Sequence, residues 1–158
     1  MTPGKGDDLL LEEIASLLRS HGLMVERVLG EVRGFVRPAP APEVKVRLRD
    51  DGRLEVAVIV ALLDATGGGC PGERAAVLAK ALKAKEVGGR FLALERNTKR
   101  GETKGVVYAF ATFSAEEGRK IPLFLNNLLL WAKESLPLVG GGGVELPLAT
   151  VSFSSLEA

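Results

Sequence analysis

Glutamine is absent from the 158 residues, asparagine occurs only at positions 97, 126 and 127, and cysteine, histidine and tryptophan occur once each. A lone cysteine, Cys70, excludes an intrachain disulfide, and with His21 as the single histidine no set of soft ligands exists for a structural zinc site. No metal or other cofactor is therefore expected. Charge of one sign is also lacking: 21 Lys and Arg stand against 20 Asp and Glu. Without a net field, bulk attraction to nucleic acid or an acidic membrane is excluded as the basis of function. The first residues, Met1 to Asp8, have neither the basic start nor the apolar run of an export signal, so a cytoplasmic protein is expected. Long hydrophobic runs are missing too, because Ile121 to Ala132 is broken by Pro122, Asn126 and Asn127. The scarcity of amide side chains fits a thermophilic source.

What is present is apolar. A hydrophobic share of 46% against 26% charged is too high for a disordered chain, and the length suits one domain with one core. Residues 1–8 read as a flexible start, 138–143 as a Gly-rich linker and 144–158 as a C-terminal strand and tail. The first helix is predicted after Asp7 and Asp8, on the apolar spacing of Leu10, Leu11, Ile14, Leu17 and Leu18, with Gly22 as its left-handed stop. From Leu23 to Arg37 the period changes to two, with Val28, Gly30, Val32, Gly34 and Val36 on one face, which predicts a half-buried strand. Its glycines suit the close approach of a helix. Pro38, Pro40 and Pro42 make a stiff connector that cannot donate to a sheet.

Parity fixes the next hairpin. Around Asp50-Asp51-Gly52 a two-residue loop would oppose Leu48 to Glu55, whereas a three-residue loop with Gly52 left-handed pairs Leu48 with Leu54, Val46 with Val56 and Arg47 with Glu55. The second strand becomes continuously apolar over Ala57 to Leu63, which predicts a central place in the sheet. A second helix is predicted from about Glu73 to Glu86, with Ala76, Leu78, Ala79 and Leu82 inward and small residues that could lie over Gly30 and Gly34. Arg90 to Arg96 and Gly105 to Phe113 form a second hairpin, apolar on both faces of its second strand. Ser114 and Glu117 have capping-box spacing, but Gly118 and Pro122 argue that the main helix starts only near Pro122. Val144 to Phe153 is expected to add a last strand, confined to an edge by Pro147. The fold class is α+β: an antiparallel sheet of about five to six strands packed with three helices, in the order α-β-β-β-α-β-β-α plus a C-terminal edge strand.

Few residues carry chemistry. The Gly67 to Arg74 stretch joins a buried strand to a helix, where Gly68 and Gly69 amides and the Arg74 guanidinium could receive an anion or nucleotide, although neither standard phosphate-loop pattern is matched. Cys70 at a helix start would favour its thiolate, the basis of a redox sensor or nucleophilic enzyme, but it needs a base and His21 is expected as a solvent-facing turn residue far away. Surplus apolar surface is the stronger signal. Tyr108 and Phe110 on the second hairpin and Leu130 and Trp131 on the last helix are candidates for an interface, with burial within one chain as the alternative.

The helix at Leu9 to Arg19, the hairpin at Asp50-Asp51-Gly52, the Phe91 to Phe113 pair and Ile121-Pro122-Leu123-Phe124-Leu125 together resemble the type III secretion chaperone-like fold shared by the YbjN-like proteins. The resemblance covers about Asp8 to Pro137 and is one of element order. It implies a non-enzymatic homodimer that holds a segment of another protein, and it assigns no catalytic residue. The long Gly-rich loop, the near-neutral charge and the tail after Gly143 depart from it.

Overall fold

The computed structural model describes residues 5–36, 42–64, 73–78, 86–87, 90–91, 93–99, 104–135 and 143–151. Within them the fold is α+β, an antiparallel sheet packed with helices. The first helix, α1, is Lys5–Ser20. Leu11, Ile14, Ala15 and Leu18 form its fully buried stripe, the positions that a 3.6-residue period brings to one side. It ends where Gly22, at φ 95°, turns the chain. The Leu23 amide donates to the Leu18 carbonyl and the Gly22 amide to that of Arg19, the bond pair of a Schellman cap. That cap folds His21 inward, so it is buried at 9% exposure and not the solvent-facing residue that its place in a turn predicts.

The strand predicted from Leu23 to Arg37 is two strands, β1 Met24–Val28 and β2 Glu31–Phe35, folded back on each other. Leu29 and Gly30 make the turn, with Gly30 at φ 74°, a backbone state that alanine adopts only under strain. Gly34 remains in the strand, and a β-carbon there would lie 3.6 Å from Leu18, Leu23 and Val44. The helix over it is thus α1, not the second helix, and the distance is an ordinary van der Waals contact. Gly34→Ala is expected to stabilise the fold by about 0.5 kcal/mol by restricting the unfolded chain, whereas Gly30→Ala is expected to cost about 1 kcal/mol. Urea unfolding midpoints of the two variants, moving in opposite directions, check this.

The next two strands are β3 Val44–Leu48 and β4 Leu54–Asp64. Their register is the one parity demands: Leu48 opposite Leu54, Val46 opposite Val56, and Arg47 opposite Glu55. The Arg49 amide closes the loop on the Arg53 carbonyl, Gly52 has φ 82°, and Arg47 and Glu55 form an ion pair at 3.2 Å. Residues 73–78 are helical, here α2, with Ala75 and Leu78 fully buried. The helix does not extend to Glu86, which begins β5, Glu86–Val87, paired with β6, Arg90–Phe91. Strands β7, Ala93–Lys99, and β8, Lys104–Phe113, complete the second hairpin.

The sheet order is β1-β2-β3-β4-β8-β7, so β4 is central, as its continuous apolar run requires. A register shift between Ile59 and Ala61 inserts Val60 as an extra residue in β4. After β8 the Ser114 amide donates to the Glu117 carboxylate at 3.0 Å, but the turn this box caps is the 3-10 segment Ala115–Lys120. The final helix, α3, is Ile121–Ser135. The proposed terminal strand shrinks to β9, Val144–Glu145, because Pro147 opens a second 3-10 turn, Pro147–Thr150.

One face of the sheet carries the core. Val32, Val46, Val56 and Ala111 stand opposite one another across four strands and are all buried, as are Leu54 and Phe113 in the next row. Leu18 of α1 lies over Gly34 on this face, and Phe124 of α3 meets the Phe113 ring edge-on at 5.2 Å. Arg27 ties α1 to the β1–β2 turn by donating to Asp8, Glu12 and the Glu31 carbonyl. Among the described residues no helix is long and apolar enough to cross a membrane.

Candidate functional site

The opposite face of the sheet is built differently at its two ends. Toward β1 it is a mesh of opposite charges: Arg33 with Glu31 along β2 at 3.1 Å, and, across strands, Lys45 with Glu31 at 3.7 Å and Arg47 with Glu55. Such exposed pairs contribute little to stability, but they satisfy one another and leave no field of one sign. Between β4 and β8 the same face turns apolar, and beyond it β7 sets Ala93 opposite Phe110, Glu95 opposite Tyr108 and Asn97 opposite Val106. Ala57 stands opposite Phe110, Ile59 opposite Tyr108 and Leu62 opposite Val106. Tyr108 and Phe110 stack, with ring centres 6.2 Å apart and planes 26° from parallel. Both are partly buried, as are Ala57, Leu62 and Val106. Ile59 is buried at 7% exposure without belonging to the core cluster of the other face.

The four predicted interface residues do not form one surface. Residue parity places Tyr108 and Phe110 on the face away from Phe113, and hence away from α3. Leu130 is half exposed on α3, while Trp131 is buried in the core cluster. The breadth of the apolar stripe on α3 has a structural use, since Phe124, Leu125, Leu128, Trp131 and Ala132 all face inward. Of the four, only the Tyr108 and Phe110 pair meets the description of a shared patch.

Gly68, Gly69 and Cys70 lie outside the described residues, as does most of the Gly67 to Arg74 stretch. Arg74 is described: it is 9% exposed, and its Nη1 donates to the Asp64 carbonyl at 3.1 Å. The guanidinium thus binds the end of β4 to α2, a structural use of the group that the sequence offers to an anion. A separate open cleft of about 590 Å³ lies where the β1–β2 turn and the β3–β4 loop meet, lined by Leu29, Glu31, Arg47, Arg49 and Asp51 among others. Its arginines are already paired, Arg47 with Glu55 and Arg49 with Asp51 at 3.3 Å. Among the described residues no three His, Cys, Asp or Glu side chains are grouped to hold a metal ion.

No family model, curated protein or solved structure matches the chain. The geometry itself therefore carries the functional reading. It sets apart one feature outside the core cluster: a stacked, half-buried aromatic pair on the face of the sheet opposite α1 and α3. The absence of a polar alternate in Val106 to Phe113 is what singles out Tyr108 and Phe110 in the sequence, and the same apolar surplus points equally to Leu130 and Trp131.

Proposed function

We propose that the chain is a non-enzymatic, chaperone-like protein-binding module that acts as a homodimer, its sheet face at Tyr108 and Phe110 being the contact. The observation that carries this is the stacked pair at 6.2 Å on the face opposite α1 and α3. Aromatic side chains supply large contact area at little conformational cost, and they are enriched where protein surfaces meet. The charged mesh beside them would form the polar rim of such a contact, which fixes orientation more than affinity. The resemblance to the YbjN-like proteins implies the same kind of molecule.

Light scattering tests the reading. The chain is expected at twice its 16.7 kDa, and the double variant Tyr108→Glu, Phe110→Glu at the mass of one chain with its circular dichroism retained. Two carboxylates on a face meant to lose its water cannot be paired there and oppose association. A native chain that stays at single-chain mass at high concentration ends the homodimer part of the proposal. A variant that still dimerises moves the contact elsewhere.

A further inference from the structure

Strand β4 has two edges, and they are used unequally. β8 pairs with one edge along Leu54 to Asp64. On the other, the β3 ladder ends at Val58, with one further bond from the Ile59 amide to the Glu43 carbonyl. The far end of that edge is taken by β9, which sets Leu63 opposite Val144 and Leu62 opposite Glu145, while the Asp64 amide donates to the Gly143 carbonyl at 2.8 Å. Beyond it the chain drives one side chain deep: Leu148 is 1% exposed and belongs to the core cluster, with Pro147 buried beside it and Val144, Leu146 and Val151 packed on the cluster's margin. Main-chain pairing at a sheet edge gives a peptide attachment, and a pocket for a side chain gives it selectivity; here the pairing spans two residues and the pocket takes Leu148 from the turn that follows.

We propose that this edge of β4, with the pocket that holds Leu148, is a strand-receptor site which residues 143–151 close in cis. In trans it takes a peptide of a partner protein with the same pattern, a short extended stretch led by an apolar residue and running into a Pro-Leu turn. The proposal rests on the protein-binding reading above and deepens it by naming a ligand class. The pattern follows from the register of β9 and the turn beyond it: Val144 faces the core because Leu63 does, Glu145 lies on the other side opposite Leu62, and the 3-10 turn Pro147–Thr150 carries Leu148 into the core cluster. Pro147 cannot donate to a ladder, which keeps the strand short and its exchange feasible. Residues 136–142 tether the segment covalently. A short tether gives it an effective concentration in the millimolar range, so a free peptide must reach that range to displace it from the intact chain.

The test uses the full chain with a specific protease site placed at residues 140–142, and a fluorescent peptide with the sequence of residues 143–151 read by anisotropy. Before cleavage, binding is expected only as the peptide approaches the millimolar range; after cleavage, it is expected at roughly a hundredfold lower concentration. A peptide carrying Leu148→Asp is expected to bind neither form. Equal affinity before and after cleavage overturns the proposal, and so does equal binding of the Leu148→Asp peptide. Loss of the native circular dichroism on cleavage overturns it as well, since a segment required for folding is not an exchangeable ligand. A cut chain that ignores the peptide while the intact chain dimerises through Tyr108 and Phe110 removes this site and leaves the earlier reading standing. Peptide binding by a strictly monomeric chain does the reverse.

Discussion

Val56→Asp is expected to abolish folding, while Ala57→Asp, one residue along the same strand, is expected to leave the fold intact. Val56 is fully buried at the centre of the sheet, opposite Val46 on one side and Ala111 on the other. Every neighbour in that row is apolar, so a carboxylate there would lose its water with nothing to pair it. The penalty is several kcal/mol, against a total stability on the order of 5–15 kcal/mol for a domain. Ala57 points the other way. It is partly buried and stands opposite Lys45 and Phe110, so an aspartate there gains an oppositely charged cross-strand neighbour, and the net change is expected within about 1 kcal/mol. Circular dichroism and urea denaturation of the two variants decide the matter. A folded Val56→Asp with an unchanged midpoint would show that this face carries no core. Ala57→Asp also places charge beside the proposed dimer contact, and it is expected to weaken association with no loss of fold.

That contrast rests on strand parity, which is also where the sequence is most informative. The Leu48 to Leu54 register is recoverable because only one loop length keeps the apolar residues of both strands on one side, and Gly52 is the residue a left-handed loop position selects. The β1–β2 turn is hidden for the opposite reason. Leu29-Gly30 lacks a polar turn residue, and Gly30 falls on the same alternate positions as Val28 and Val32, so the period of two runs on through the reversal. His21 is hidden because burial of a capping turn depends on what α1 lies against, not on residue type. The candidate site divides in the same way. Alternation shows that both faces of β8 are apolar, whereas which of Tyr108, Phe110, Leu130 and Trp131 share a surface depends on which face α3 covers. Helix periodicity alone does not contain that information.

The attachment of α3 to the sheet can be measured through one ring pair. Phe113, at the end of β8, is 1% exposed, and Phe124, in the first turn of α3, is 4% exposed. Their centres are 5.2 Å apart at 80°, the edge-on arrangement in which the positive rim of one ring meets the negative face of the other. Phe113→Ala is expected to cost about 3–5 kcal/mol, from lost burial and the cavity left against a helix and strand that cannot fully collapse. For a chain of this length, the midpoint of thermal unfolding should fall by on the order of 10 °C. Phe124→Ala is expected to cost a similar amount. The double variant should cost less than the two together by about 0.5–1.5 kcal/mol, the worth of the ring pair beyond its burial. Strict additivity would mean that the rings do not touch in solution. Parity would then no longer fix the side of the sheet on which α3 lies, and with it the assignment of Tyr108 and Phe110 to the face opposite that helix.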